Sequence, residues 1–282
     1  MQEESDAGGK AVFVRSIKAW MKEVALRGLY FFLRMLYPPR CLVCDEFSEK
    51  ALCSSCLSQL KLIIPPVCKL CGKPYDALAH ASPLCSDCKS TKRWFDWCRC
   101  AVSYEGVARM MVFKLKYSGE FRLSVEMAKF MADALDRFAR QSDEELIRDF
   151  AFDLIIPVPL HKARLRERGF NQAELIAQSL SELIGIPSDS SLLVRTRETK
   201  PQFELSPKER WVNVRDAFRL THPDAVFNKA IIIVDDVMTV GATLNECAKA
   251  VRVGKPRIII ALAFARGGVS DYAKPYGMDV AV

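Results

Sequence analysis

Apolar residues along this chain follow two rhythms. From residue 98 onward, short unbroken apolar runs alternate with longer stretches in which apolar side chains recur every three or four positions. The runs predict strands at Asp153–Ile156, Ile231–Val234 and Arg257–Leu262, because a continuous apolar run suits a strand covered on both faces in a parallel sheet. The recurring spacing predicts helices at Val107–Lys116, Leu123–Arg140, Asn171–Ile184 and Ala242–Arg252. In the third of these Asn171 can cap the first turn, Glu174 stands three residues on, and Ile176, Leu180 and Leu183 form a stripe. Strands and helices in this alternation predict an α/β fold, a parallel sheet flanked by helices.

The first 97 residues keep neither rhythm for long. Residues 11–37 read as a basic amphipathic helix, with Ile17, Met21, Val24, Phe31 and Met35 near helical spacing and Arg15, Lys18 and Lys22 on another face. Such a helix is expected to pack on its own domain; a membrane-surface or partner-binding helix is the alternative. Pro38 and Pro39 end it. The stretch Val24 to Tyr37 is broken by Arg27 and Arg34 and is too short to span a bilayer. Residues 41–97 hold clustered cysteines with Pro65, Pro66, Pro74 and Pro83 among them. The expected division is a helical leader (1–40), a double zinc-ribbon-like module (41–97) and an α/β domain (98–282).

Composition narrows the setting. At 282 residues, 50% of them hydrophobic, the chain can bury one good core beside a small appended module. A net charge of +7 permits an anionic partner without requiring one. Residues 1–10 are polar and acidic and carry no export signal, so a cytoplasmic location is expected. In that setting paired cysteines point to metal ahead of disulfides.

Four CxxC pairs stand in line: Cys41/Cys44, Cys53/Cys56, Cys68/Cys71 and Cys85/Cys88. Two cysteines so spaced can aim both sulfurs at one metal from a tight turn, and two such turns complete a four-thiolate zinc site. Eight cysteines therefore predict two structural zinc ions. Sequential pairing of the four motifs is the simplest arrangement, and interleaved pairing stays open. Gly72 suits the turn after Cys71. Cys98, Cys100 and Cys247 stand apart and read as small core residues.

The most informative stretch runs from Ile231 to Leu244. A buried strand delivers Asp235 and Asp236, and a loop of Thr239, Val240, Gly241, Ala242 and Thr243 then opens a helix. Ligands bind at the carboxyl edge of such sheets. Backbone N–H groups at a helix start, with Gly241 allowing close approach, can cradle a phosphate. Carboxylates would repel that phosphate, so they should serve neutral sugar hydroxyls or a Mg²⁺ ion. A sugar phosphate meets both demands. The combination resembles the signature of type I phosphoribosyltransferases, which use 5-phosphoribosyl-1-pyrophosphate (PRPP).

Other segments fit around that site. After the strand ending at Pro157-Val158-Pro159, Lys162, Arg164, Arg166 and Arg168 could hold pyrophosphate. Residues 195–218 show little regular pattern and read as a lid or acceptor-binding loop carrying Gln202, Arg210 and Asn213, with a disordered excursion as the alternative. Lys89, Lys92, Arg93, Trp94, Phe95, Trp97 and Arg99 combine charge and stacking groups, as a single-stranded DNA surface would. The competing reading of that cluster is a buried seam with snorkelling charges.

In order, Pro38, the first two CxxC pairs, Lys114-Leu115-Lys116-Tyr117, Pro157-Val158-Pro159, Arg168-Gly169-Phe170-Asn171-Gln172, Gln202, Arg210-x-x-Asn213 and the acid-pair loop are similar to the ComF family of competence-associated, phosphoribosyltransferase-like proteins. The resemblance covers about residues 35–266. It implies a PRPP-binding fold of the type I phosphoribosyltransferase kind, a cysteine zinc finger, a part in handling single-stranded DNA during uptake, and a helicase or uptake-machinery partner. Thr239 stands where relatives acting on 6-oxopurines carry an aspartate base, which argues against 6-oxopurine salvage. Two function classes follow. One is a transferase that displaces pyrophosphate from PRPP, with Asp235, Asp236 and Arg168 as catalytic groups and Mg²⁺ on the leaving pyrophosphate. The other is a non-catalytic PRPP or nucleotide sensor that holds single-stranded DNA.

Overall fold

A computed structural model of the chain describes residues 32–75, 82–141, 152–200, 205–269 and 274–276, together with Val24 and Arg27. Most of the expected leader helix and Gln202 lie outside the described residues. The chain divides into two compact units, Met1–Cys53 and Ser54–Val282. Residues 68–97 thus share a unit with the α/β elements, and the division falls inside the cysteine-rich stretch rather than at its ends.

In the first unit a helical turn at 32–36 leads to a tight turn built on Cys41. The Cys41 N–H donates to the Glu46 carbonyl at 2.8 Å, and the Asp45 N–H donates back to the Cys41 carbonyl at 3.0 Å. Arg40 pairs with Phe47 across this turn, and Asp45 takes the left-handed φ of 66° that closes it.

The second unit repeats that turn. Cys68 N–H donates to the Lys73 carbonyl at 2.8 Å, Gly72 N–H to the Cys68 carbonyl at 2.9 Å, and Val67 pairs with Pro74. Gly72, at φ 68°, occupies the place of Asp45. Here glycine is required twice over, since a Cβ would stand 2.5 Å from the Cys98 carbonyl oxygen. Each remaining CxxC pair opens a short helix, α1 (Ser54–Ser58) and α2 (Ser86–Ser90).

The strands of this unit are β1 (Lys61–Leu62), β2 (Trp97–Ser103), β3 (Leu154–Pro157), β4 (Leu193–Arg195), β5 (Phe218–Leu220), β6 (Ala230–Met238), β7 (Ile258–Arg266) and β8 (Lys274–Pro275). Six form one sheet in the order β3-β6-β7-β2-β1-β8. Its first four strands are parallel, and β1 is antiparallel to both neighbours. β4 and β5 form a separate antiparallel ribbon. Ile231 to Val234 and Ile259 to Ala265 are fully buried, as their unbroken apolar runs predict. The outer side of β3 is occupied: Ile155 N–H donates to the Pro187 carbonyl and its own carbonyl accepts from Asp189 N–H, both at 2.9 Å.

Helices α3 (Gly106–Tyr117), α4 (Leu123–Gln141), α6 (Gln172–Ile184) and α8 (Ala242–Val251) fall within a residue or two of the predicted spans. Asn171 caps α6 through Ala173 N–H. Two differences stand out. Lys162–Arg168 is a helix, α5, and residues 195–218 contain helix α7 (Pro207–Val214) between β4 and β5. α7 starts with a capping box in which Ser206 and Glu209 bond each other's backbone and Pro207 takes the first turn. No helix among the described residues is long and apolar enough to cross a membrane.

Candidate functional site

β6 continues past Val234 and carries Asp235 and Asp236 as strand residues, nearly fully buried. Alternation along the pleat parts them. Ile231 and Ile233 pack with Leu244, Cys247 and Ala248 of α8, so Asp235 follows them to that side. Asp236 goes to the other, where Gln172 of α6 donates to its Oδ1 at 3.1 Å and Lys116 of α3 forms an ion pair with its Oδ2. The Asp236 N–H also donates to Asp235 Oδ1 at 2.9 Å. Neither Lys116 nor Gln172 was expected to touch the acids. Their one signal was membership of the Lys114–Tyr117 and Arg168–Gln172 motifs.

The two carboxyls titrate in opposite directions. Burial, and then the charge of Asp236, push Asp235 well above the ordinary carboxylate range. Burial alone would also raise Asp236, but the Lys116 charge and hydrogen bond, with those of Asp235 and Gln172, hold it below. Burial pulls the Lys116 ammonium down and Asp236 more than restores it, leaving it above its usual value. The Lys116 ammonium beside Asp236 lessens the repulsion expected between the acids and a phosphate.

The loop follows at once. Gly241 stands at φ 80° as the N-cap of α8, a backbone region where side chains are strained. A Cβ there would also meet Met238 Cε at 2.5 Å. Thr239, Val240 and Thr243 are half-buried, while Ala242 is buried. A helix start behind a glycine N-cap is a position that accepts an anion.

The basic residues of α5 do not converge as a set. Arg164 pairs with Glu167 at 2.6 Å, and Lys162 and Arg166 are exposed. Of the four, Arg168 is linked to the acid pair through Gln172, donating to its Oε1, while its guanidinium lies 5.4 Å from the Tyr117 ring centre. Asn213 clasps Lys200, accepting from its N–H at 3.1 Å and donating to its carbonyl at 2.9 Å. Arg210 donates to the Leu205 carbonyl at 3.0 Å within the same segment.

The cluster at residues 89–99 is a seam, not an open surface. Phe95, Trp97 and Arg99 are buried. Trp94 N–H donates to Asn245 Oδ1 at 2.9 Å, and Arg93 donates to the Val240 carbonyl at 3.1 Å. Only Lys89 and Lys92 of the basic residues face solvent. Aromatic and basic types sit side by side here because they fill the junction between the second cysteine turn and α8.

The second quartet, Cys68, Cys71, Cys85 and Cys88, brings four sulfurs within 4.8 Å of one another, all buried. Zinc with bonds near ~2.3 Å sets tetrahedral sulfur–sulfur edges of about 3.8 Å, and Cys71 and Cys85 stand 3.6 Å apart. Cys85 N–H approaches Cys68 Sγ at 3.4 Å, as backbone donors do around bound thiolates. Pairing is thus sequential, which leaves the first four cysteines to one another. Of those, Cys41, Cys44 and Cys53 lie in the first unit, with the Cys44 and Cys53 sulfurs also 3.6 Å apart and Cys53 N–H 3.4 Å from Cys41 Sγ. Cys56 lies in the second unit. Cys98, Cys100 and Cys247 are core residues as expected, and burial pushes the Cys98 and Cys247 thiols up.

Known proteins match both parts. The double zinc ribbon domain matches residues 32–101, a span holding all eight paired cysteines. Competence protein F of Haemophilus influenzae is 30% identical over 217 residues, 76% of this chain and 90% of that protein. Competence protein ComFC of Bacillus subtilis is 29% identical over 237 residues, 74% of this chain and 87% of that one. Among solved structures, glutamine PRPP amidotransferase from B. subtilis overlaps 49% of this chain and 25% of its own, with 19% identity and a TM-score of 0.31.

Proposed function

The chain belongs to the ComF family, and on that premise we propose that it binds PRPP and transfers its phosphoribosyl group to an acceptor with release of pyrophosphate. The observation that carries the reading is the acid pair on β6, with Lys116 on Asp236, joined directly to a glycine-bent loop at the start of α8. The 5-phosphate sits on the N–H groups of residues 239–243. Asp235 and Asp236 hydrogen-bond the ribose hydroxyls. Arg168 lies toward the pyrophosphate end. The acceptor's lone pair forms the new bond to the anomeric carbon, the carbon–oxygen bond breaks, and its electron pair leaves with pyrophosphate. Arg168 and Lys116 are the cations placed to meet that developing charge.

Lys116 and Gln172 already contact the Asp236 carboxylate, and the acids are assigned to the ribose. In this proposal Mg²⁺ arrives on the pyrophosphate of PRPP, and no step passes through the acids. Zinc at the two cysteine quartets is structural, because four thiolates leave no open position.

Calorimetric titration with PRPP tests the reading. Hydrogen bonds to charged groups contribute about 1.5–3 kcal/mol each, so Asp235→Asn with Asp236→Asn should lose tenfold or more in affinity. Unchanged affinity in the folded double variant removes the acid pair from the site. A pyrophosphate-release assay separates transferase from sensor.

A second reading, single-stranded DNA binding, has its own support. Phe113, Tyr117 and Phe121 are about half exposed, and Phe170 stacks edge-on to Phe121 with centroids 4.8 Å apart. Phe113 and Tyr117 lie 5.1 Å apart with Arg168 over Tyr117. Rings of this kind among cations suit unpaired bases, and this row replaces residues 89–99 as the proposed stacking surface.

A further inference from the structure

The second cysteine quartet lies against the underside of the phosphate loop, and two arginines make the connection. Arg266, the last residue of β7, is 4% exposed. Its Nη1 donates to the Cys71 carbonyl at 2.6 Å, and its Nη2 approaches Cys71 Sγ at 3.6 Å. The same guanidinium lies 3.4 Å from Met238 Sδ. Met238 ends β6 in register with Arg266, and its sulfur also packs on Cys98 Sγ at 3.1 Å. Its methyl group fills the space where a side chain of residue 241 would stand. The second connection leaves the other end of the quartet. Just past Cys88, Arg93 donates to the Val240 carbonyl, its guanidinium 4.9 Å from the Trp211 ring centre. The next residue bonds Asn245 in the first turn of α8.

No carboxylate ion pair is formed by Arg266 or by its buried neighbour Arg99 among the described residues, although each is a full charge taken out of water. A cation so placed needs an anion nearby. A zinc ion held by four thiolates would carry two net negative charges, and Arg266 lies against Cys71 of that quartet. The quartet and the arginine thus account for each other.

We infer that zinc in the second quartet fixes the shape of the phosphate loop, with Arg266 and Arg93 as the positioning residues that carry the constraint. The metal holds the Cys68–Cys71 turn and the Cys85–Cys88 turn. The first turn holds Arg266 and, through it, Met238 beneath Gly241; the second sets where Arg93 grips Val240. An empty quartet releases both ties while the central strands, secured by their own ladders, stay folded. As an account of how ligand binding is controlled, this rests on the PRPP reading; as a statement about the loop, it does not.

The two are tested apart in the full chain. Hydrogen exchange at amides 239–243 is measured without ligand in the wild type, Arg266→Gln, Arg266→Lys, Arg93→Ala and Cys88→Ser, with zinc content determined for each. Arg266→Gln and Arg93→Ala should keep two zinc ions yet exchange at the loop at least fivefold faster, with Ile231 to Val234 still protected. Arg266→Lys, which keeps the charge, should restore part of the protection. Cys88→Ser should lose one zinc and show the same loop signature; should it not fold, the arginine variants decide. Wild-type exchange rates in folded, zinc-loaded Arg266→Gln and Arg93→Ala overturn the inference whatever PRPP does. Loop exchange that changes as expected in a wild type that binds no PRPP overturns the PRPP reading and leaves the zinc connection standing. Where PRPP binds, thermodynamic reciprocity requires it to tighten zinc at equilibrium, in competition with a chelator, by the same factor by which zinc tightens PRPP.

Discussion

Lys116→Met removes the cation paired with Asp236. The Asp236 side chain is 4% exposed and that of Lys116 20%. Breaking a buried pair by deleting one partner costs about 3–5 kcal/mol, because the remaining charge is left in a poor solvent. Partial exposure of the lysine places the expected loss at about 3 kcal/mol, or a fall in Tm of about 6–12 °C for a unit of this size. The pH dependence identifies the cause. Asp236 is held below its ordinary value, so its contribution exists above the unfolded pKa of about 3.9 and is lost as pH falls through the lower folded value. Lys116 is held above its ordinary value, so its contribution exists below about 10.4 and is lost as pH rises through the higher folded value. Wild-type stability from this pair is therefore flat across neutral pH. In the variant Asp236 has lost its cation and binds a proton more readily, so the deficit should shrink between pH 8 and pH 5. Denaturant unfolding at both pH values measures it. Lys116→Met with Asp236→Asn should recover most of the loss. A single-variant loss under about 1 kcal/mol, or a double variant additive to within about 0.5 kcal/mol, would refute the pairing.

Three further outcomes follow from the same geometry. Asp235→Asn should raise the Tm of the ligand-free protein at neutral pH while Asp236→Asn lowers it, since burial disfavours ionisation of the first and Lys116 favours it in the second; differential scanning calorimetry reads both, and a shared sign would contradict the assignment. Metal analysis of the purified chain should give two zinc ions, and Cys41→Ser or Cys53→Ser should unfold the first cysteine turn rather than only weaken it, because metal binding and folding are coupled; circular dichroism checks the second part. Single-stranded DNA binding, followed by fluorescence anisotropy, should have a log–log salt slope near about −3 for about four phosphates; Tyr117→Ala should weaken it at constant slope, whereas Trp94→Ala should lower the Tm instead.

The strands and helices of the α/β unit were legible because each is buried along a simple period, and the acid-pair loop because its types and order admit few other uses. Lys116 was not, although its motif was visible, because the partner is on another element and nothing local to Lys114–Tyr117 shows which side chain turns inward. Helix α7 was missed despite Ser206, Pro207 and Glu209 in capping order, since Lys208, Glu209 and Arg210 hide its narrow apolar stripe. The charges of α5 were read as a convergent group because a run of basic residues looks alike in a loop and in a helix, where successive side chains part by about a quarter turn. Residues 89–99 were open to two readings in the same way, since snorkelling arginines among buried rings have the composition of a nucleic-acid surface, and burial of Phe95, Trp97 and Arg99 bears out the seam.

The covered side of β3 bears on how this protein behaves at high concentration. A bare strand edge is a template on which a second chain can add its own strand, the first step of runaway association. Here the outward N–H and C=O of Ile155 are already taken by residues 187–189, and Pro157 has no N–H to offer. That margin of the sheet is closed to strand addition, so any self-assembly there must proceed through side chains and remain sensitive to their chemistry, rather than through the backbone, which every protein shares.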